Sequence, residues 1–174
     1  QQVMKTEGET DPAILEKSAA SHFRAENYET AELRYNELKD WSDDHKNNDI
    51  LLRSLFHLAD IHLVKSEYEK NIETNHILLK YLTEQNNPGA TSYIYNNLGY
   101  TYVKMGDPRK ASDSFLKAYE LNQLFNPGNQ DQAILLTNIG ICYQNLNEND
   151  NALSYLHQAL SNELPRSRAD EVSE

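Results

Sequence analysis

Apolar and small residues recur along this chain at helical spacing, and the groups they form recur again at a longer period. Tyr95, Leu98, Gly99 and Tyr102 step by 3, 1 and 3 positions, and Ala111, Phe115 and Ala118 by 4 and 3. Each set falls on one face of a helix. The same two-part pattern stands at Leu136, Ile139, Gly140 and Tyr143, followed by Ala152, Leu156 and Ala159. It stands again at Leu15, Ala19 and His22, followed by Ala31, Tyr35 and Leu38, and most thinly at Leu55, Leu58, Ala59 and His62, followed by Leu78. Ala19, Ala59, Gly99 and Gly140 are spaced by 40, 40 and 41 residues. Self-similarity at a fixed period marks a stack of repeated supersecondary units. The small residue lets a neighbouring helix backbone approach closely, and a Tyr, Phe or Leu fills the space beside it. Tyr35, Tyr95, Tyr102, Phe115 and Tyr143 are therefore expected in the core.

The pattern predicts helices over 12–25, 28–44, 49–65, 68–84, 90–105, 108–124, 130–146 and 149–161. Asp11-Pro12 and Asp107-Pro108 each offer a capping oxygen followed by a Pro at the first helical position. Gly106 ends the helix before it. Pro88-Gly89 and Pro127-Gly128 read as turns ahead of a unit's first helix. No period-2 run suggests a strand. The fold class expected is all-α, an α-solenoid of four helix-turn-helix repeats.

The strongest stretch, Asn97-Leu98-Gly99, Tyr102, Gly106-Asp107, Lys110-Ala111, Phe115 and Lys117-Ala118, resembles the tetratricopeptide repeat (TPR) family. The unit at Asn138-Ile139-Gly140, Tyr143, Ala152, Leu156 and Ala159 repeats it. The period exceeds the family's usual one of about 34 residues. It is similar to the longer-repeat variety, as in kinesin light chains and bacterial signalling and adaptor proteins. The chain departs from the pattern with Ala for Gly in the first two units, and with Asn71 and Asn75 at the small and bulky positions of the second. The resemblance implies a right-handed superhelix whose concave face is lined by the first helix of each pair. TPR-like repeats are expected over 11–48, 49–87, 88–126 and 127–163, with an N-terminal tail over 1–10. Residues 164–174 read as a tail or the start of a fifth repeat, because the next small residue would fall near ~181, past Glu174.

Residues offset from the packing face are expected to line the groove. Asn97 and Asn138 share one slot, just before the small-residue pair, where the first and second units carry Lys17 and His57. An Asn amide can bond both the N–H and the C=O of one extended peptide unit. Asn96, Gln144, Tyr93 and Tyr100 belong to the same inner set, the two tyrosines as recognition surface. Lys17, Arg24, Arg53 and Lys104 oppose only Asp60 and Glu16 on that face. A basic strip would favour a protein or peptide partner bearing acidic groups or a C-terminal carboxylate. The peptide-binding set is thus Asn97, Asn138, Asn96, Tyr93, Tyr100, Lys104, Arg53, His57, Lys17 and Gln144.

Composition narrows the classes. The 174 residues carry 16 Lys and Arg against 27 Asp and Glu, a formal charge of −11. So acidic a chain is repelled by phosphate backbones, and no nucleic-acid partner is expected. No apolar run is long enough for a membrane span. The six histidines are dispersed, Cys142 is the lone cysteine, and neither a metal-ligand spacing nor a phosphate-binding Gly-rich loop occurs. No enzymatic activity, metal or cofactor is expected. Asp40, Asp43, Asp44 and Asp49 read as a solvated turn. The start at Gln1-Gln2 fits either a removed secretory leader, with a periplasmic or secreted product, or a cytoplasmic chain trimmed from a longer one. The functional expectation is an interaction module that captures a peptide or partner segment in its groove, as the sensory or adaptor part of a larger signalling or regulatory protein. The alternative is an assembly subunit that oligomerises through its repeat ends.

Overall fold

The computed structural model describes residues 11–125 and 130–163. They form eight helices: α1 (Pro12–Arg24), α2 (Tyr28–His45), α3 (Asn48–Val64), α4 (Tyr68–Glu84), α5 (Pro88–Lys104), α6 (Pro108–Phe125), α7 (Gln130–Asn145) and α8 (Asn149–Glu163). Among the described residues there is no strand. The N-terminal tail (1–10), the Pro127-Gly128 turn and the segment 164–174 lie outside the described residues.

Turn chemistry sets the helix ends. Glu26, Lys46, Ser66, Asn86 and Gly106 all have positive φ, as does Asn147. The first five are twenty residues apart. In each turn the N–H of the following residue reaches back to a carbonyl of the helix just finished, for example Glu67 to His62 at 2.8 Å and Asp107 to Tyr102 at 2.9 Å. These are Schellman closures, which satisfy carbonyls left open at a helix C-terminus. The next residue then caps the helix that follows. Asn27, Asn47 and Asn87 accept from the N–H of Thr30, Ile50 and Ala90, and Asp107 from that of Lys110. One sequence expectation is corrected here. Pro88-Gly89 is the first turn of α5, not a turn ahead of it, because Asn87 caps the helix and Pro88 needs no N–H at N1.

The chain divides into two compact units, Gln1–Asn75 and His76–Glu174, the boundary falling within α4. In the first, Leu15, Ala19, Ala31, Tyr35, Leu38, Leu58 and Ile61 form one buried cluster. The polar pair in α4 is accommodated by hydrogen bonds. Asn71 donates its Nδ2 to the Ala59 carbonyl at 2.8 Å, and Asn75 donates to Asn71 Oδ1 at 2.9 Å. Both side chains are buried, and Asn75 Oδ1 has no partner.

In the second unit Ala111, Phe115, Ala118, Leu135, Ile139 and Cys142 make the cluster. Burial pushes the Cys142 thiol up to about 11, so it stays protonated and acts as a small apolar residue. Tyr35 and Phe115 are fully buried as expected, whereas Tyr95, Tyr102 and Tyr143 are only half-buried at the cluster's edge. Their rings face the surface far enough for Lys117 to sit over Tyr95 at 5.3 Å and Lys110 over Tyr102 at 5.6 Å. Tyr143 stacks on Tyr155 at 5.4 Å.

Candidate functional site

Within the second unit, α5, α6 and α7 enclose a cleft of about 470 Å³. It is within the range of small-molecule and side-chain pockets. Tyr93, Asn96 and Tyr100 come from α5, Asn122 and Phe125 from α6, and Asp131, Ile134 and Leu135 from α7. Tyr93, Phe125 and Ile134 leave between 43% and 49% of their surface open, so the walls are apolar and accessible.

The polar groups are distributed unequally around this cleft. Ser92 is satisfied, its hydroxyl donating to the Ala118 carbonyl at 2.8 Å. Tyr100 is fixed from two sides. Its hydroxyl accepts from Asn138 Nδ2 at 3.0 Å, and its ring meets that of Phe115 edge-on, 5.3 Å between centroids. By contrast, the Oδ1 atoms of Asn96 and Asn122 are buried with no hydrogen-bond partner. Leaving a buried acceptor unsatisfied costs about 1–3 kcal/mol. Two such oxygens on one cleft leave acceptor capacity unused.

The sequence-predicted residues divide accordingly. Tyr93, Asn96 and Tyr100 line the cleft, and Asn138 positions Tyr100. Asn97, in the matching slot on α5, is half-buried beside the cleft's lining and serves Thr101 through its carbonyl. Lys104 is exposed and lies outside the lining. Gln144 is exposed and borders a separate shallow hollow with Asn149, Leu153 and Leu156. Sequence reasoning missed Asn122 and Phe125 by treating second helices as packing alone, and Asp131 because the inner set read on α7 begins a turn later, at Ile134. Asn122 continues the stripe of Ala111, Phe115 and Ala118. An amide on that stripe was the available signal.

In the first unit, one base of the expected basic strip is paired with an acid. Arg53 is bound to Glu16 through Nε at 2.7 Å and Nη2 at 3.3 Å. Arg24 donates its Nε to the Ala20 carbonyl. His57 is stacked on Tyr35 at 4.6 Å and packed against Phe23. Burial lowers its pKa, with Asp60 and Glu16 opposing, so it is neutral at pH 7. Lys17 is exposed. Glu32, His62 and Glu67 bring ligand-type atoms within 4.8 Å of one another. Lys65 lies 2.7 Å from Glu32 and 3.2 Å from Glu67, and Lys70 2.8 Å from Glu67. The two ammonium groups already neutralise the two carboxylates, so the cluster is an ion-pair network. Among the described residues no helix is long and apolar enough to cross a membrane.

Comparison with known proteins agrees with the fold. Residues 89–162 match the profile of the tetratricopeptide repeat family. No curated protein matches the sequence. The fold is similar to that of BtubC (BKLC) from P. vanneervenii, with a TM-score of 0.77 at 19% identity over 91% of this chain. It is also similar to the apo form of RapI, at 0.75 and 18% over 90% of this chain. A Rap protein complexed with Competence and Sporulation Factor gives 0.70 at 14% over 87%. The chain spans 66%, 58% and 42% of those three chains.

Proposed function

We propose, from the premise that residues 89–162 belong to the tetratricopeptide repeat family, that this chain is an interaction module capturing an extended peptide or partner segment, with the α5–α6–α7 cleft as its anchor point. The observation carrying this reading is the coincidence of open apolar walls with two amides whose oxygens are unpartnered, Asn96 and Asn122, in one cleft. An amide can both donate to and accept from a peptide unit. Tyr93 and Phe125 supply contact area at low entropic cost. In this reading the repeats run over 11–48, 49–87, 88–126 and 127–163, and Asn97, Lys104 and Gln144 extend the contact surface beyond the cleft. Arg53, His57 and Lys17 form a secondary contact in the first unit, with the Arg53–Glu16 pair opening on binding. The module serves as the sensory or adaptor part of a larger signalling or regulatory protein. The similar fold of the Rap protein complexed with Competence and Sporulation Factor supports this reading.

The test is selection of capped random heptapeptides on the intact chain, followed by amide NMR mapping. Support consists of selected peptides that move the amides of Ser92–Tyr100 and Asp131–Leu135 and bind more weakly to Asn96→Ala. Peptides whose shifts map wholly elsewhere would refute the anchor.

A second reading, assembly through a repeat end, rests on α8, where Leu153 and Leu160 are more than half exposed. Leu153→Glu with Leu160→Glu would abolish a concentration-dependent oligomer if this face assembles. A chain that stays monomeric at all concentrations would rule it out.

A further inference from the structure

Among the described residues that line it, the cleft between α5, α6 and α7 has no Lys, Arg or His. Its lining is rich in groups that attract a cation or can be turned to do so. Tyr93, Tyr100 and Phe125 offer three aromatic rings, and Asp131 a carboxylate. The Asn96 and Asn122 oxygens lack donors. A half-turn of either amide about χ2 would bring its oxygen toward an occupant at the loss of no hydrogen bond to that oxygen. The basic residues behind the sequence expectation of an acidic partner, Lys17, Arg24, Arg53 and Lys104, all lie outside this lining.

We infer that the cleft takes an arginine side chain of the captured segment. This rests on the peptide-capture reading and specifies what the anchor recognises. A guanidinium is flat, stays charged, and carries five N–H donors in a fixed fork. It can stack on an aromatic face, where a cation is attracted by the ring quadrupole, while its edge donates to amide and carboxylate oxygens. An ammonium is more strongly hydrated and cannot stack in the same way. A carboxylate would meet the rings, Asp131 and the amide oxygens with the wrong sign. The chain's formal charge of −11 adds long-range attraction for a basic segment.

The experiment titrates the intact chain with four probes: the N-acetyl methylamides of arginine, citrulline, glutamate and leucine. Citrulline is the neutral near-isostere of arginine, so the comparison isolates charge and donor count from shape. The arginine probe is expected to move the amides of Tyr93–Tyr100 and Asp131–Leu135. It should bind about tenfold more tightly than citrulline, within the range of a partly desolvated cation–π contact joined to an ion pair. Asp131→Asn should bring arginine down toward the citrulline level while leaving citrulline binding unchanged, and rising salt should weaken arginine alone. Citrulline, leucine or glutamate binding as tightly as arginine, or no arginine-induced shift at the cleft, would overturn the assignment. The heptapeptides selected above decide the peptide reading separately: a cleft that captures them with no enrichment of arginine keeps that reading and ends this one.

Discussion

Phe115 lays its ring against the bare Cα of Gly99, so closely that a Cβ added there would stand 2.5 Å from Phe115 Cε1. Gly140 stands in the same relation to Leu156, at 2.8 Å from its Cγ. Each partner lies sixteen residues after its glycine, the offset that also relates Ala19 to Tyr35 and Ala59 to Asn75. Phe115 is buried and in contact with Tyr100, so it has little room to yield. Gly99→Ala should cost about 1–3 kcal/mol, and Gly99→Leu should unfold the second unit. Phe115→Leu should cost less in the Gly99→Ala background than alone, giving a coupling of about 0.5–3 kcal/mol in a urea double-mutant cycle. Additive effects would mean that the two residues do not share one contact.

At the corresponding place in the first unit, a polar device replaces the apolar one. Asn71 and Asn75 occupy the positions held by Ala152 and Leu156 near the other end of the chain. Asn71→Ala alone removes the acceptor of Asn75 Nδ2 and leaves a second buried group unpaired. It should destabilise by about 1–3 kcal/mol. Asn71→Ala with Asn75→Leu rebuilds the apolar interlock and should recover most or all of that loss. A double variant less stable than Asn71→Ala would show that the Asn pair is favourable beyond its own internal satisfaction.

The contrast between these two interlocks explains what the sequence disclosed. A Gly or Ala every forty residues is a steric requirement with few solutions, so it left a periodic trace in residues 19, 59, 99 and 140 and revealed the helices. The turns left almost none. Gly106 marked its own positive φ, but Glu26, Lys46 and Ser66 adopt the same conformation with side chains that give no warning. The site was half visible for a similar reason. Tyr93, Asn96 and Tyr100 followed from the face of α5, whereas Asn122 and Phe125 come from a helix whose stripe reads as packing. Of the basic strip, Arg53 is taken up by Glu16, thirty-seven residues before it, whereas Lys17 and Lys104 stay exposed. Arg53 and Glu16 were both legible on one face, but not that they would bond.

The turns make a separate prediction. A non-Gly residue in the left-handed region costs about 1–2 kcal/mol relative to its preferred conformation, partly offset for Gly by its greater unfolded-state freedom. Lys46→Gly and Ser66→Gly should each stabilise by about 0.5–1 kcal/mol. Both residues are exposed, so no packing is lost. The urea midpoint should rise at unchanged m, and the two effects should add, because the turns are distant. A lowered midpoint would mean that these side chains contribute more than their backbone strain.

The last prediction concerns acid. His62 is buried, and Thr74 Oγ1 lies 3.3 Å from its Nδ1. The Thr74 hydroxyl donates to the Lys70 carbonyl at 2.8 Å, so it accepts from His62 Nδ1–H. The Nε2 lone pair is then left facing Glu32 Oε1 at 3.5 Å. Burial holds the His62 pKa below its ordinary 6.5, with Glu32 and Glu67 opposing and Lys70 reinforcing. The native state therefore binds this proton less readily than the unfolded chain does. Stability from His62 is fully present above pH 6.5 and is lost as pH falls through the native value. His57 acts in the same direction through its own burial, and Asp60, with its pKa raised by burial, acts in the opposite one. Glu67, held down by Lys70, adds acid sensitivity only below its ordinary 4.5. His62→Gln removes one titrating group and should make the fall in melting temperature between about pH 6.5 and 5 shallower than in the wild type. Identical slopes in the two proteins would show that His62 takes up its proton in the native state as easily as in the unfolded chain, and that Glu32 offsets the cost of its burial.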